Sequence, residues 1–375
     1  MASFSTVRHS LTAALCLLTP LLSPAQHSAR DNHDHLLRFE VPGSKATYPL
    51  AINEGGSVTG YYITKAGATS GFVRHDDGQI TTFDIPGGIL TEPVSINTAG
   101  DITGFYELSG SPGQPIPLAF IRSANGTITT FGTTPIPPAS VTFWPQPVAI
   151  NATGEVVGNF PDITYAGFVF IRSAAGSFEF LSLSEGASYS TFVTGLNNAG
   201  EIVGYSTSFL LDGSQGFLIN SHAPLPSPVD GNGAMGISVP GSEGTFPTAI
   251  NADETVVGCS YANNVYQDFV RYPDGAIATL NLPGTTPSCL PGFSSLGVFN
   301  VNPTSITVND QGTITGYYIN KNKVPRGFVR YEDGKLITFG HPEATQTIPT
   351  GINNYGVITG YDSKGSVTKG FIREP

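Results

Sequence analysis

The sequence predicts an all-β fold of seven four-stranded antiparallel units joined into a ring. Three observations carry this reading. First, an Asn followed seven residues later by a Gly recurs through the chain. The pairs are Asn53 and Gly60, Asn97 and Gly104, Asn151 and Gly158, Asn197 and Gly204, Asn251 and Gly258, Asn309 and Gly316, and Asn353 and Gly360. Second, each copy continues into short alternating apolar segments separated by turn residues, which is the pattern of antiparallel strands. Third, the last copy lacks its final segment, and residues 37–43 at the other end of the chain supply one of the same type. Repeats of this length with four short strands each indicate propeller blades. The predicted fold class is therefore a seven-bladed β-propeller of four-stranded antiparallel blades, the last one closed by the N-terminal strand.

The first unit shows how each strand is read. Strand A is expected over 49–52, B over 57–63, C over 71–74 and D over 79–85. The Asn stands in the A–B turn, where its side chain bonds the local backbone and tolerates left-handed conformations. The Gly in strand B implies a close approach of another strand. Strand C begins at Gly71-Phe72-Val73-Arg74, echoed by Phe120-Ile121-Arg122, Phe170-Ile171-Arg172, Phe269-Val270-Arg271, Phe328-Val329-Arg330 and Phe371-Ile372-Arg373. The Phe residues are expected to pack between units, and the Arg to lie exposed or partly stacked over apolar surface. Asp77-Gly78, Asn125-Gly126, Asp274-Gly275 and Asp333-Gly334 read as tight C–D turns. In the seventh unit A is expected near 349–352, B at 357–361 and C at 369–373. No strand D follows, while Phe39-Glu40-Val41-Pro42-Gly43 matches Phe83-Asp84-Ile85-Pro86-Gly87.

Composition narrows the function classes. Of 375 residues 12% are charged, against ~25% in a typical domain, and 45 Gly and 29 Pro fill much of the difference. Gly and Pro disfavour helices, so a helix-rich enzyme is disfavoured. The net charge of −11 argues against a nucleic-acid partner, which requires a basic face. Residues 1–25 read as a secretory signal peptide and 26–35 as a flexible tail, leaving 36–375 as one propeller. No segment of the mature chain is apolar for long enough to span a membrane. A secreted monomer, extracellular or periplasmic, is expected. In such an oxidising compartment Cys259 and Cys289 are a candidate disulfide; two free thiols are the alternative.

The motifs of common chemistries are missing. There is no His-Glu-x-x-His, no Gly-x-Ser-x-Gly, no phosphate loop and no Cys-x-x-Cys. His75, His222 and His341 fall on different units, so no catalytic residue, metal or cofactor is assigned. Alternation of strand direction places the irregular B–C and D–A loops on one face, where function concentrates. The candidate binding residues there are Trp144, Asp162, Tyr165, Tyr261, Tyr266, Asp268 and Phe293. Aromatic platforms beside Asn and Asp suit a carbohydrate or a protein segment; the alternative is that these aromatics only cover the propeller mouth. The expected function is non-catalytic binding of a glycan or protein through the loop-rich face. The alternatives are a lyase or glycoside hydrolase with carboxylates at the channel mouth, and a structural surface protein.

The units Gly71-Phe72-Val73-Arg74, Asp77-Gly78 and Thr82-Phe83-Asp84, with Gly351-Ile352-Asn353, Gly356 and Gly360, resemble the bacterial extracellular repeat family named for a His-Ala-Phe motif. The motif's first position is mostly Gly here, and Leu118-Ala119-Phe120 is the nearest copy. The resemblance implies a secreted bacterial protein with propeller-like repeats, and it supplies no catalytic residues to carry over.

Overall fold

A one-residue register shift shapes the first strand of most units, directly after a proline in five of them and after Val193 in the fourth. In the first unit Ser44–Ile52, Val58–Thr64, Thr69–Arg74 and Ile80–Phe83 pair antiparallel in that order. Strand A runs further than expected because the ladder slips between Pro49 and Ala51. A bulge is where a sheet tolerates the missing N–H of proline, so the strand continues through Pro49 back to Ser44. The same slip recurs at Pro93/Ser95, Pro147/Ala149, Pro247/Ala249 and Pro349/Gly351.

The structure, a computed structural model, describes residues 36–375 except 110–115, 133–144, 162–166, 182, 184–188, 209–212, 224–233, 288–291, 294–298 and 301–305. The signal and tail assigned to 1–35 lie outside the described residues. Further four-stranded antiparallel units start at strands Gly88–Ile96, Gln146–Ile150, Tyr189–Leu196, Gly244–Ile250 and Ile306–Val308. The last begins at Gln346–Ile352 and takes its fourth strand from Leu36–Phe39, which pairs antiparallel with Val367–Arg373. There Arg38 faces Phe371 and Phe39 faces Gly370. Two ion pairs accompany this pairing, Arg38 with the buried Asp362 and Lys369 with Glu40 at 2.9 Å. No helix among the described residues is long and apolar enough to cross a membrane.

The repeated Gly is explained by contact. A Cβ on Gly60 would stand 2.1 Å from the Tyr48 carbonyl oxygen. Gly104, Gly158, Gly204, Gly258 and Gly360 each meet the corresponding carbonyl at 2.0–2.3 Å. The bulged strand A therefore presses its main chain against strand B at a point where only Gly fits.

The repeated Asn does more than shape its turn. Each Oδ1 accepts the backbone N–H four residues on, as Asn53 does from Ser57 at 2.9 Å. Each Nδ2 then donates to the carbonyl of the equivalent Asn in the next unit. Asn53 donates to Asn97, Asn97 to Asn151, Asn151 to Asn197 and Asn197 to Asn251. Asn251 donates to Asn309 and Asn309 to Asn353. Asn353 then donates to the Asn53 carbonyl at 3.2 Å, so the series of bonds returns to its first member.

Between units the core is aromatic. Phe72, Phe120, Phe170 and Phe371 are fully buried and meet Phe39, Phe83, Phe131 and Phe339 of the preceding unit edge to face at about 6 Å. The strand-C guanidiniums of Arg74, Arg122, Arg172 and Arg373 lie 4.9–5.2 Å over those same partner rings. Stacking is thus the answer to the two placements expected for these arginines, and Arg74 and Arg373 are buried.

Candidate functional site

The candidate site grows from two positions of the repeat. One is five residues before the Asn in strand A; the other directly follows the Gly in strand B. They are cross-strand partners: Tyr48 faces Tyr61, Glu92 faces Phe105, Gln146 faces Asn159, Phe192 faces Tyr205, Phe246 faces Cys259 and Ile348 faces Tyr361. Partners on one face of a sheet touch. The side chains also reach across the seams. Tyr361 meets Tyr48 of the next unit edge-on at 5.1 Å, and Tyr205 meets Phe246 of its next unit at the same distance. Asn159 exchanges two hydrogen bonds with the main chain of Val193, at 3.0 and 2.8 Å. A belt of side chains therefore crosses from unit to unit.

The belt is chemically uneven. Phe192, Tyr205, Phe246 and Cys259 are buried and form one apolar cluster. Tyr48, Tyr61, Glu92, Tyr317 and Tyr361 are half-buried. Tyr48 and Tyr61 stack at 4.9 Å with 24° between their planes. Burial pushes the Glu92 carboxyl up to about 7, and neighbouring Glu107, itself raised by burial, adds to the shift. Glu107 faces Leu90, two residues along the strand from Glu92, which makes the two carboxyls diagonal neighbours. The Tyr61 and Tyr361 phenols are raised by burial, Tyr61 also by Glu92, so both remain neutral donors. Near neutral pH Glu92 is divided between acid and carboxylate, and it both donates and accepts hydrogen bonds.

Asp268 lies at the buried end of this arc. It faces Cys259 across the ladder and is wholly buried, and no cation or main-chain N–H bonds its carboxyl oxygens. Burial pushes it up to about 8, against the pull of the nearby Thr286 hydroxyl. The Tyr317 phenol of the next unit is raised by burial first and by the ionised form of Asp268 second.

Of the residues singled out from sequence, Tyr261 and Tyr266 come together, facing one another across a hairpin with rings 4.9 Å apart. Asn263 and Asn264 make its turn at φ 51° and 63°, and Tyr261 donates its hydroxyl to Asn264 at 2.7 Å. Both tyrosines pack on the apolar part of the belt, and Asp268, two residues along the strand from Tyr266, is buried opposite Cys259. Cys259 is buried and disulfide-bonded. Trp144, Asp162, Tyr165 and Cys289 lie outside the described residues. Phe293 is described in its backbone only, within a short hairpin with Phe299–Asn300. The arc of Tyr48, Tyr61, Glu92, Tyr317 and Tyr361 escaped the sequence reading. Its signal was present: Tyr follows the repeated Gly in four copies, at 61, 205, 317 and 361. Among the described residues no group of three or more His, Cys, Asp or Glu is placed to hold a metal.

The sequence matches no family model and no curated protein. Among solved structures, the chain is similar to virginiamycin B lyase from Staphylococcus aureus. The TM-score is 0.54 at 13% identity, over 91% of this chain and 99% of that one. A streptogramin B lyase gives 0.55 at 14%, over 91% and 98%. A puromycin hydrolase gives 0.54 at 13%, over 87% of this chain and 52% of that one. The chain has a β-propeller-like fold. At these identities the likeness extends to architecture alone and carries no activity across.

Proposed function

We infer that the protein is a secreted, closed, seven-bladed propeller that binds a glycan, without catalysis, through the tyrosine and glutamate arc of its belt. The return of the asparagine bonds from Asn353 to Asn53 and the pairing of Leu36–Phe39 with the last unit support closure. The repeats are assigned to the His-Ala-Phe family, and Cys289 is assigned as the disulfide partner of Cys259. The observation that carries the binding reading is the half-buried arc itself. Stacked phenol rings offer flat apolar faces to a sugar ring. Tyrosine hydroxyls and a half-protonated Glu92 match groups that, like sugar hydroxyls, both donate and accept.

The test is binding to a glycan array, repeated with Tyr48→Ala and Tyr361→Ala. Each substitution is expected to weaken binding about tenfold or more, in line with a lost ring contact and hydrogen bond. Retention of every glycan by both variants, or binding to none by the parent, overturns this reading. One observation favours a second reading, catalysis: Glu92, pushed to about 7 beside Glu107, is poised as a general acid or base. Turnover of a bound glycan, abolished in Glu92→Gln, would select it.

A further inference from the structure

The glycan reading leaves the sugar's charge open, and the structure assigns it. We propose that the arc recognises a sugar bearing a free amine, with the ammonium seated against the tyrosine faces and Glu92. This rests on the glycan reading and deepens it.

Three observations converge. The first is uncompensated acidity. Ion pairs among the described residues join Arg38 to Asp362, Lys364 to Glu343, Lys369 to Glu40 and His222 to Glu155. None of them reaches Glu92, Glu107 or Asp268. Carboxyls removed from water without a cation are held partly neutral. An arriving ammonium stabilises their charged forms and gains short charge-assisted hydrogen bonds.

The second observation is Asp268. A carboxyl with no exposed surface, no cation and only the Thr286 hydroxyl beside it is a cost that a fold retains for a reason. Burial holds it largely neutral at the buried end of the arc, so an arriving cation favours its charged form, which acts on Tyr317. The third is the aromatic surface. The faces of Tyr48, Tyr61 and Tyr361 carry the negative side of the ring quadrupole, which attracts cations. A neutral or acidic sugar would gain from the ring faces alone. An amino sugar uses the faces and the carboxyls together, and the net charge of −11 steers it to the protein.

The experiment titrates the full chain calorimetrically with a glucosamine oligomer, with its N-acetylated form of equal length, and with oligolysine. It is run at a pH where the amines are protonated. The glucosamine oligomer is expected to bind about tenfold to a hundredfold tighter than the N-acetylated one, as a charged hydrogen bond implies. Glu92→Gln is expected to erase that preference and Asp268→Asn to reduce it. Both variants replace desolvated carboxyls with neutral amides and are checked for folding by thermal unfolding. Equal affinity for the two oligomers overturns the amine assignment and leaves the glycan reading standing. Binding of neither overturns both, as does binding of oligolysine alone. A preference that survives both substitutions shows that the amine is held elsewhere and also overturns the assignment.

Discussion

The asparagine turns and the tyrosine belt recur at equivalent positions from unit to unit among the described residues, yet they are built on opposite terms. At the turns the same residue recurs seven times, and each copy spends its acceptor on its own turn and a donor on its neighbour, as Asn53 does with Ser57 and Asn97. Along the belt the residue changes from unit to unit: Tyr48, Glu92, Gln146, Phe192 and Phe246 hold one position. Two carboxyls there, the half-buried Glu92 and the wholly buried Asp268, sit without a cation. The turns are therefore expected to stabilise the fold and the belt to detract from it. A region that a scaffold maintains at a cost to stability is where function is to be sought.

The largest expected effect exposes that cost through pH. Asp268 moves from an ordinary 3.8 to about 8 in the folded protein, and Glu92 from 4.5 to about 7. Both shifts arise from burial and point upward. Between the ordinary and the raised value the native state holds a proton that the unfolded chain has released. Stability must then fall as pH rises from about 4 toward 8, by up to ~1.4 kcal/mol per pH unit for each such group. Asp268→Asn is expected to flatten most of that slope and to raise the melting temperature near pH 7. Thermal unfolding at a series of pH values measures it. An unchanged slope would show that Asp268 is ionised and compensated, and the contrast between belt and turns would fail.

The turns should respond in the opposite sense. Asn353→Ala removes the bond to the Asn53 carbonyl and leaves the N–H groups of Tyr355 and Val357 without the Oδ1 they bond at 3.1 and 3.0 Å. The bond to the Asn53 carbonyl is buried and the other two are part-buried; at about 1 kcal/mol for each lost bond, a loss of about 3 kcal/mol is expected. Asn125→Ala serves as the contrast. In its exposed turn Asn125 bonds only the Thr127 N–H, at 2.9 Å, and about 0.5–1 kcal/mol is expected. Urea denaturation of the two variants separates the roles. Similar costs would mean that the bond between units contributes little beyond the local turn.

Much of this architecture was legible because repetition within one chain acts as its own alignment. The Asn–Gly spacing located every A–B turn, and the match of Phe39 to Phe83 placed Leu36–Phe39 beside the last unit. Strand lengths were less legible. A proline at 49 reads as a strand start until the bulge that accommodates it is seen. The relay from one Asn to the next carbonyl was hidden as well, since a sequence shows the local use of a side chain and not its neighbour across a seam. The candidate site suffered from a related blindness. Loop aromatics such as Trp144 draw attention because they break the repeat. Tyr61 and Tyr361 sit at a repeated strand position, where an aromatic reads as core, and only their partial exposure beside Glu92 separates them from the buried Tyr205.

The smallest expected effect tests whether the seams between units are held by specific geometry or by bulk. The Arg122 guanidinium lies 4.9 Å over the Phe83 ring of the preceding unit and also donates to the Ser123 carbonyl at 3.4 Å. Arg122→Met keeps an apolar stem over the ring and loses the charge, so a cost of about 0.5–1 kcal/mol is expected. Arg122→Ala removes the stem too and should cost about 1–2 kcal/mol. A double-mutant cycle of Arg122→Met with Phe83→Leu isolates the pair, and a coupling of about 0.5 kcal/mol or more is expected. The same contact recurs at Arg74, Arg172 and Arg373, so a measured coupling would count at each of those seams. A coupling of zero would reduce the arginines to space-filling cover and leave the asparagine relay and the aromatic packing to hold the seams. Neither outcome should alter the proposed glycan binding, because these arginines contact strand-D rings and not the belt.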